Sequence, residues 1–69
     1  MIELAILKNF DSPSYTAGVQ LIGLITAYFD DVSVARNIAA DQMVVGRGVI
    51  LAIPGGNPKD AVVIAVFTT

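Results

Sequence analysis

Residues 61–67, Ala61-Val62-Val63-Ile64-Ala65-Val66-Phe67, are apolar at every position, carry no charge and are rich in β-branched side chains. Such a run favours a strand, and a strand of this kind left at an open sheet edge is a template for aggregation. It must therefore lie in the middle of a sheet or under a neighbour, which selects folds whose sheet closes. The seven residues before it, Pro54-Gly55-Gly56-Asn57-Pro58-Lys59-Asp60, are the strongest turn signal in the chain. Pro54 and Gly55 suit the central pair of a type II turn. Upstream, residues 48–53 read as a strand with Val49, Leu51 and Ile53 on one face, so the chain ends in a hairpin-like pair.

The rest of the sequence divides in the same manner. Residues 2–10 open with alternation, Ile2, Leu4 and Ile6 on one face and Glu3 and Lys8 as exposed points, which predicts a half-buried strand. Asp11-Ser12-Pro13-Ser14 is a turn. Tyr15, Ala17, Val19 and Leu21 then share one face, and Thr16, Gly18 and Gln20 the other. Gly23 inside this apolar stretch predicts a bend or bulge. Residues 24–29 resume as a strand, Asp30-Asp31 reads as a polar turn, and residues 32–35 as a short strand. Residues 37–43 lose alternation and suit an irregular connection or one helical turn that Asp41 would cap. A helix over 16–29 is the rival reading, but two glycines and several β-branched residues inside it oppose that.

Five short strands, tight turns and no repeat or linker predict one all-β domain over residues 1–69, a small closed five-stranded barrel of the OB or SH3/Sm kind.

Composition decides how such a domain stays folded and soluble. In 69 residues there is no cysteine for a disulfide, and without histidine or cysteine there is no ordinary structural zinc site. Only hydrophobic burial remains. Hydrophobic residues make up 55% and charged residues 14%, where soluble domains carry about 25% charge, so polar side chains are too few to coat a lone molecule. This predicts a homo-oligomer, in which closed symmetry hides apolar surface without growing filaments. A membrane span is not the explanation, because the apolar stretches 17–29 and 43–54 are interrupted and fall short of the ~20 residues needed. Met1-Ile2-Glu3-Leu4 lacks the basic start of a secretory signal, so the expected location is the cytoplasm, or a virion assembled there.

The chemical repertoire is narrow. Lack of histidine and cysteine removes the usual near-neutral base and the most readily activated nucleophile. Asp30-Asp31 is the only adjacent carboxylate pair, and neighbours on a strand point to opposite faces. Gly46-Arg47-Gly48 lacks the third glycine and helix of a dinucleotide fingerprint, and 55–60 has no Gly-Lys-Ser/Thr ending. No catalytic residue, metal ligand or cofactor site is assigned, and the chain reads as a non-enzymatic structural subunit. The formal net charge is −2, and Lys8, Arg36, Arg47 and Lys59 are scattered, a poor supply for phosphate binding. An oligomer would still gather Arg36 or Arg47 around a pore, and aromatic rings stack on bases. A single-stranded nucleic-acid barrel is thus the alternative. Candidate partner contacts are Arg36, Arg47, Tyr28, Phe29 and Phe67.

The pattern Gly46-Arg47-Gly48-Val49-Ile50-Leu51-Ala52-Ile53-Pro54-Gly55-Gly56-Asn57-Pro58 followed by Ala61-Val62-Val63-Ile64 resembles the end of the OB-fold domain in phage baseplate and tail-spike assembly proteins and in type VI secretion spikes. There a glycine-led strand, a Pro-Gly-Gly-x-Pro hairpin and a Val-Val strand complete the barrel. The resemblance covers residues 46–67 and implies assembly with other virion proteins. Those spikes carry a long β-helical region after the barrel, whereas this sequence stops at Thr69, so the resemblance is to the barrel alone and the expectation is a bare barrel. A second likeness is to the pentameric vertex proteins of bacterial microcompartments, which also begin with a short apolar strand and end in a Val/Ile-rich one. It too implies a structural role.

Overall fold

A computed structural model describes residues 1–22 and 27–68. Its strands are β1 (Ile2–Asp11), β2 (Thr16–Leu21), β3 (Tyr28–Val34), β4 (Gly48–Ala52) and β5 (Val62–Phe67). They form one sheet that closes on itself in the order β1-β2-β3-β5-β4, with β4 returning to β1. All pairings are antiparallel except β3 with β5, which is parallel. The demand made by the last strand is met in part: β5 pairs with β4 along its length, but with β3 only at Val62 and Val63, so among the described residues 64–67 have a strand neighbour on one side alone.

β1 makes closure possible because it is long enough to serve two neighbours. Its first half pairs with β4, from Ile2 opposite Ala52 to Ile6 opposite Gly48, and its second half with β2, from Ala5 opposite Leu21 to Asp11 opposite Thr16. An extra residue between Leu7 and Asn9 interrupts the register with β2. A bulge of this kind sharpens the local twist and lets a strand bend from one partner towards the next.

The core is filled by alternate residues. Leu7, Val19, Val49, Leu51 and Val63 are the largest fully buried side chains, joined by Ala5, Ala17, Leu21, Val32, Val34 and Ile53. No polar or charged side chain is buried among the described residues. The expected inward faces of β2 and β4 are therefore observed. β1 is the reverse of the expectation: Ala5 and Leu7 point in, while Ile2 and Leu4 stand exposed and Ile6 half-buried on the outer face. Glu3, expected to be exposed, is half-buried opposite Leu51.

Three local expectations change as well. Asp30-Asp31 is not a turn but lies within β3, where the register with β2 shifts between Ala17 and Val19 and Asp31 takes φ 54°. A bulge absorbs the extra residue, and aspartate is among the few non-glycine residues that enter the left-handed region. The short strand expected at 32–35 is the second half of β3, which starts at Tyr28. The single turn expected between β3 and β4 is a 3-10 turn at Ala40–Gln42, whose N-cap is Ala39 without a side-chain bond, so Asp41 sits inside the turn rather than capping it. The bend expected at Gly23 and the strand over 24–26 lie outside the described residues.

The connection from β4 to β5 follows its turn chemistry. Gly55 adopts φ 64°, ψ 8°, and the Gly56 N–H donates to the Ile53 carbonyl, the left-handed third position that a type II turn requires. Asn57 then accepts from the Lys59 N–H through Oδ1 at 3.1 Å, starting a second 3-10 turn at Pro58–Asp60.

Candidate assembly surface

The register fixes what the outside of the closed sheet presents, because residues directly opposite each other share a face. On the outer face of β1, β4 and β5, Ile2 lies beside Ala52 and Val62, Leu4 beside Ile50 and Ala65, and Ile6 beside Gly48 and Phe67. Ile64 is the additional residue at the β4–β5 register shift and is exposed. On the other flank of β1, the Ile22 N–H donates to the Leu4 carbonyl and the Ile22 side chain is exposed. None of these positions is charged, or even polar.

Exposure here is substantial, at 62% for Ile2, 43% for Ile64, 42% for Ile22, 39% for Leu4 and 38% for Phe67. Loose folding is not its cause. The chain presents 4102 Å² to solvent for 7.2 kDa, in line with the roughly 4100 Å² of a fully compact monomer of that mass. At roughly 200 Å² for a fully exposed large side chain, these five contribute about 450 Å², and the half-buried Ile6, Ile50, Ala52 and Val62 add to it. A contiguous apolar surface of this size is at the upper end for a monomer, about 300–600 Å².

The opposite side of the closed sheet differs in kind. Outward positions on β2 and β3 include Thr16, Gln20, Tyr28 and Ser33, with Asp30 and Asp31 exposed at the bulge. Here Tyr28 does local structural work. Asn9 Nδ2 donates to the Tyr28 hydroxyl at 2.8 Å, and the Gly18 N–H donates to Asn9 Oδ1 at 3.0 Å. The hydroxyl end of the ring occupies the space a side chain at Gly18 would fill. An open cleft of about 260 Å³ lies beside it, lined by Tyr28, Phe29, Asp30, Pro58 and Lys59.

Comparison of the chain with protein-family models, with curated proteins and with solved structures returns no match. The surface must therefore be read from its own residues.

The five candidate contacts separate. Phe67 belongs to the apolar face, its ring lying on Gly48. Tyr28 and Phe29 are on β3; Phe29 pairs with the inward-facing Val19 and packs against the core, and only Tyr28 is well exposed. Arg36 places its guanidinium 5.1 Å from the centre of the Tyr15 ring, while the Tyr15 hydroxyl donates to the Ile38 carbonyl. Arg47 donates through Nη1 to the Gln42 carbonyl and to Gln42 Oε1, at 3.0 and 3.1 Å. Both arginines thus brace the connection between β3 and β4. Ile2, Leu4, Ile22 and Ile64 were not singled out by sequence reasoning. Their signal was the absence of any charge at positions 2, 4, 6, 48, 50, 52, 62 and 64.

Among the described residues no three acidic, histidine or cysteine side chains gather as metal ligands would. No helix is long and apolar enough to cross a membrane.

Proposed function

We propose that this chain is a non-enzymatic structural subunit that associates with copies of itself through the outer face of β1, β4 and β5. The observation that carries the reading is a charge-free surface of isoleucine, leucine and phenylalanine on a domain whose core is already complete. The association is read as face to face because these side chains stand on the outer surface of the sheet.

The finer fold assignment is an OB-type barrel rather than an SH3/Sm one. It is supported by the order β1-β2-β3-β5-β4, by a first strand shared between two neighbours and by the parallel β3–β5 pair. With the pattern over 46–67, this favours a place in a phage-related particle, in the virion or in the cytoplasm before packaging, alongside other assembly proteins. Sedimentation velocity across a range of concentrations tests the main claim. Association that strengthens with concentration is expected, and a monomer persisting at about 100 μM, where even weak interfaces associate, refutes it.

The second reading, a binder of single-stranded nucleic acid, draws on exposed Tyr28 beside the cleft and on Lys59 across it. OB barrels bind oligonucleotides on the face of their second and third strands. Against it, Asp30 lines the same cleft and Asp31 and Asp60 flank it, where a phosphate track needs cations. Titration with short single-stranded RNA and DNA at low salt decides, since electrostatic affinity is greatest there.

A further inference from the structure

We infer that the second copy docks on the same face it presents, about a two-fold axis, so that the assembly unit is an isologous dimer and not a ring. This rests on the self-association proposed above and goes beyond it in fixing which surfaces meet. A ring requires two different patches, one meeting the other head to tail, whereas a two-fold contact requires one self-complementary patch. Of the strand faces described, the one on β1, β4 and β5 is apolar and the opposite β2–β3 face carries Asp30 and Asp31, while exposed Val44 and Val45 on the β3–β4 connection offer only two side chains to a second patch. A head-to-tail contact between these two faces would desolvate both carboxylates against isoleucine and leucine, which cannot pair them, and buried unpaired charge is costly. Two copies of the apolar face meet through uncharged side chains, with Lys8 at the β1 bulge beyond Ile6 at its margin.

The area fits the same conclusion. About 450 Å² from five large side chains, together with the half-buried residues between them, approaches the ~800 Å² per partner of a standard interface. A dimer of modest affinity is expected, held by Ile2, Leu4, Ile22, Ile64 and Phe67.

Leu4 lies in the central row of the face, between Ile22 on one side and Ile50 on the other. Near a two-fold axis it faces the Leu4 of the other copy. Leu4→Lys and Leu4→Glu should then each weaken dimerisation by about 100-fold, the scale of a central interface residue. An equimolar mixture of the two should recover at least about ten-fold, because lysine meets glutamate. In a head-to-tail ring Leu4 never meets itself, and mixing recovers nothing. Circular dichroism establishes that each variant is folded, and the Ile64→Lys and Ile64→Glu pair replaces any that is not. Sedimentation equilibrium of the wild type should give a mass of two 7.2 kDa chains. A mass above two chains, or a dimer whose charge variants do not rescue each other, overturns the two-fold inference and leaves self-association standing. A wild type that remains monomeric overturns both.

Discussion

Gly48→Ala should have opposite effects on stability in the wild type and in a Phe67→Ala background. Gly48 is buried on the outer side of β4, and a Cβ built on it would fall 2.5, 2.8 and 2.9 Å from Cζ, Cε2 and Cε1 of Phe67. Its backbone is not in the left-handed region, so only the ring stands against a side chain. Phe67 is 38% exposed, so roughly 120 Å² of a ~200 Å² side chain leaves water, worth at most ~3 kcal/mol at ~25 cal/mol/Å². Gly48→Ala forces the ring aside. If half of that contact is lost, the cost is ~1.5 kcal/mol, offset by the ~0.4–1 kcal/mol that alanine gains over glycine by restricting the unfolded chain. A net destabilisation of ~0.5–1 kcal/mol is expected. With Phe67→Ala already in place the obstacle is gone, and the same Gly48→Ala substitution should stabilise by ~0.4–1 kcal/mol. Urea unfolding of the four proteins, followed by circular dichroism at one protomer concentration to hold association constant, gives the coupling directly, expected at ~1.5 kcal/mol. Equal destabilisation by Gly48→Ala in both backgrounds would refute the account of the ring as the constraint.

Other substitutions test the core, the bulge and the long connection. Leu51 is fully buried, so Leu51→Ala should cost ~2.7–5 kcal/mol, a large part of the ~3.5–10 kcal/mol available to a chain this size, and urea melts should show a sharply lowered midpoint. Asp31 is exposed at φ 54°, so Asp31→Gly should stabilise by up to ~1 kcal/mol and raise the melting temperature by several degrees; a fall would mean that its side chain contributes more than its backbone costs. Tyr15→Phe removes the hydroxyl that donates to the Ile38 carbonyl, a loss of ~1 kcal/mol, and should speed amide exchange between residues 35 and 43 ahead of the rest; uniform acceleration would place the effect elsewhere.

How much of this was legible in the sequence depends on whether one face of a strand differs from the other. In β2, Ala17, Val19 and Leu21 alternate with Thr16, Gly18 and Gln20, and in β4 the bulkier Val49, Leu51 and Ile53 alternate with Gly48, Ile50 and Ala52; both inward faces were readable. The closing strand was readable too, from the aggregation hazard it would otherwise pose. The Asp30-Asp31 bulge was not, because a carboxylate pair has the same local chemistry in a turn and in a bulge, and only the register with β2 separates them. Nor were the rings over Gly18 and Gly48, which come from Tyr28 and Phe67 and meet those glycines only once the strands are paired.

β1 failed for a more instructive reason. Its outer positions, Ile2, Leu4 and Ile6, are greasier than its inner ones, Glu3, Ala5 and Leu7, so the rule that the more apolar face points inward selects the wrong side. Small Ala5 is what the interior accommodates where β1 passes between β2 and β4, while the branched side chains stand outside. An isolated domain gains nothing from that inversion, since each outward isoleucine leaves apolar area in water that burial would recover. The inverted strand therefore carries the assembly proposal in its own right. Its weight would vanish if replacing Ile2 and Leu4 together with threonine left sedimentation unchanged at every concentration, because the outer face of β1 would then have no occupant to lose.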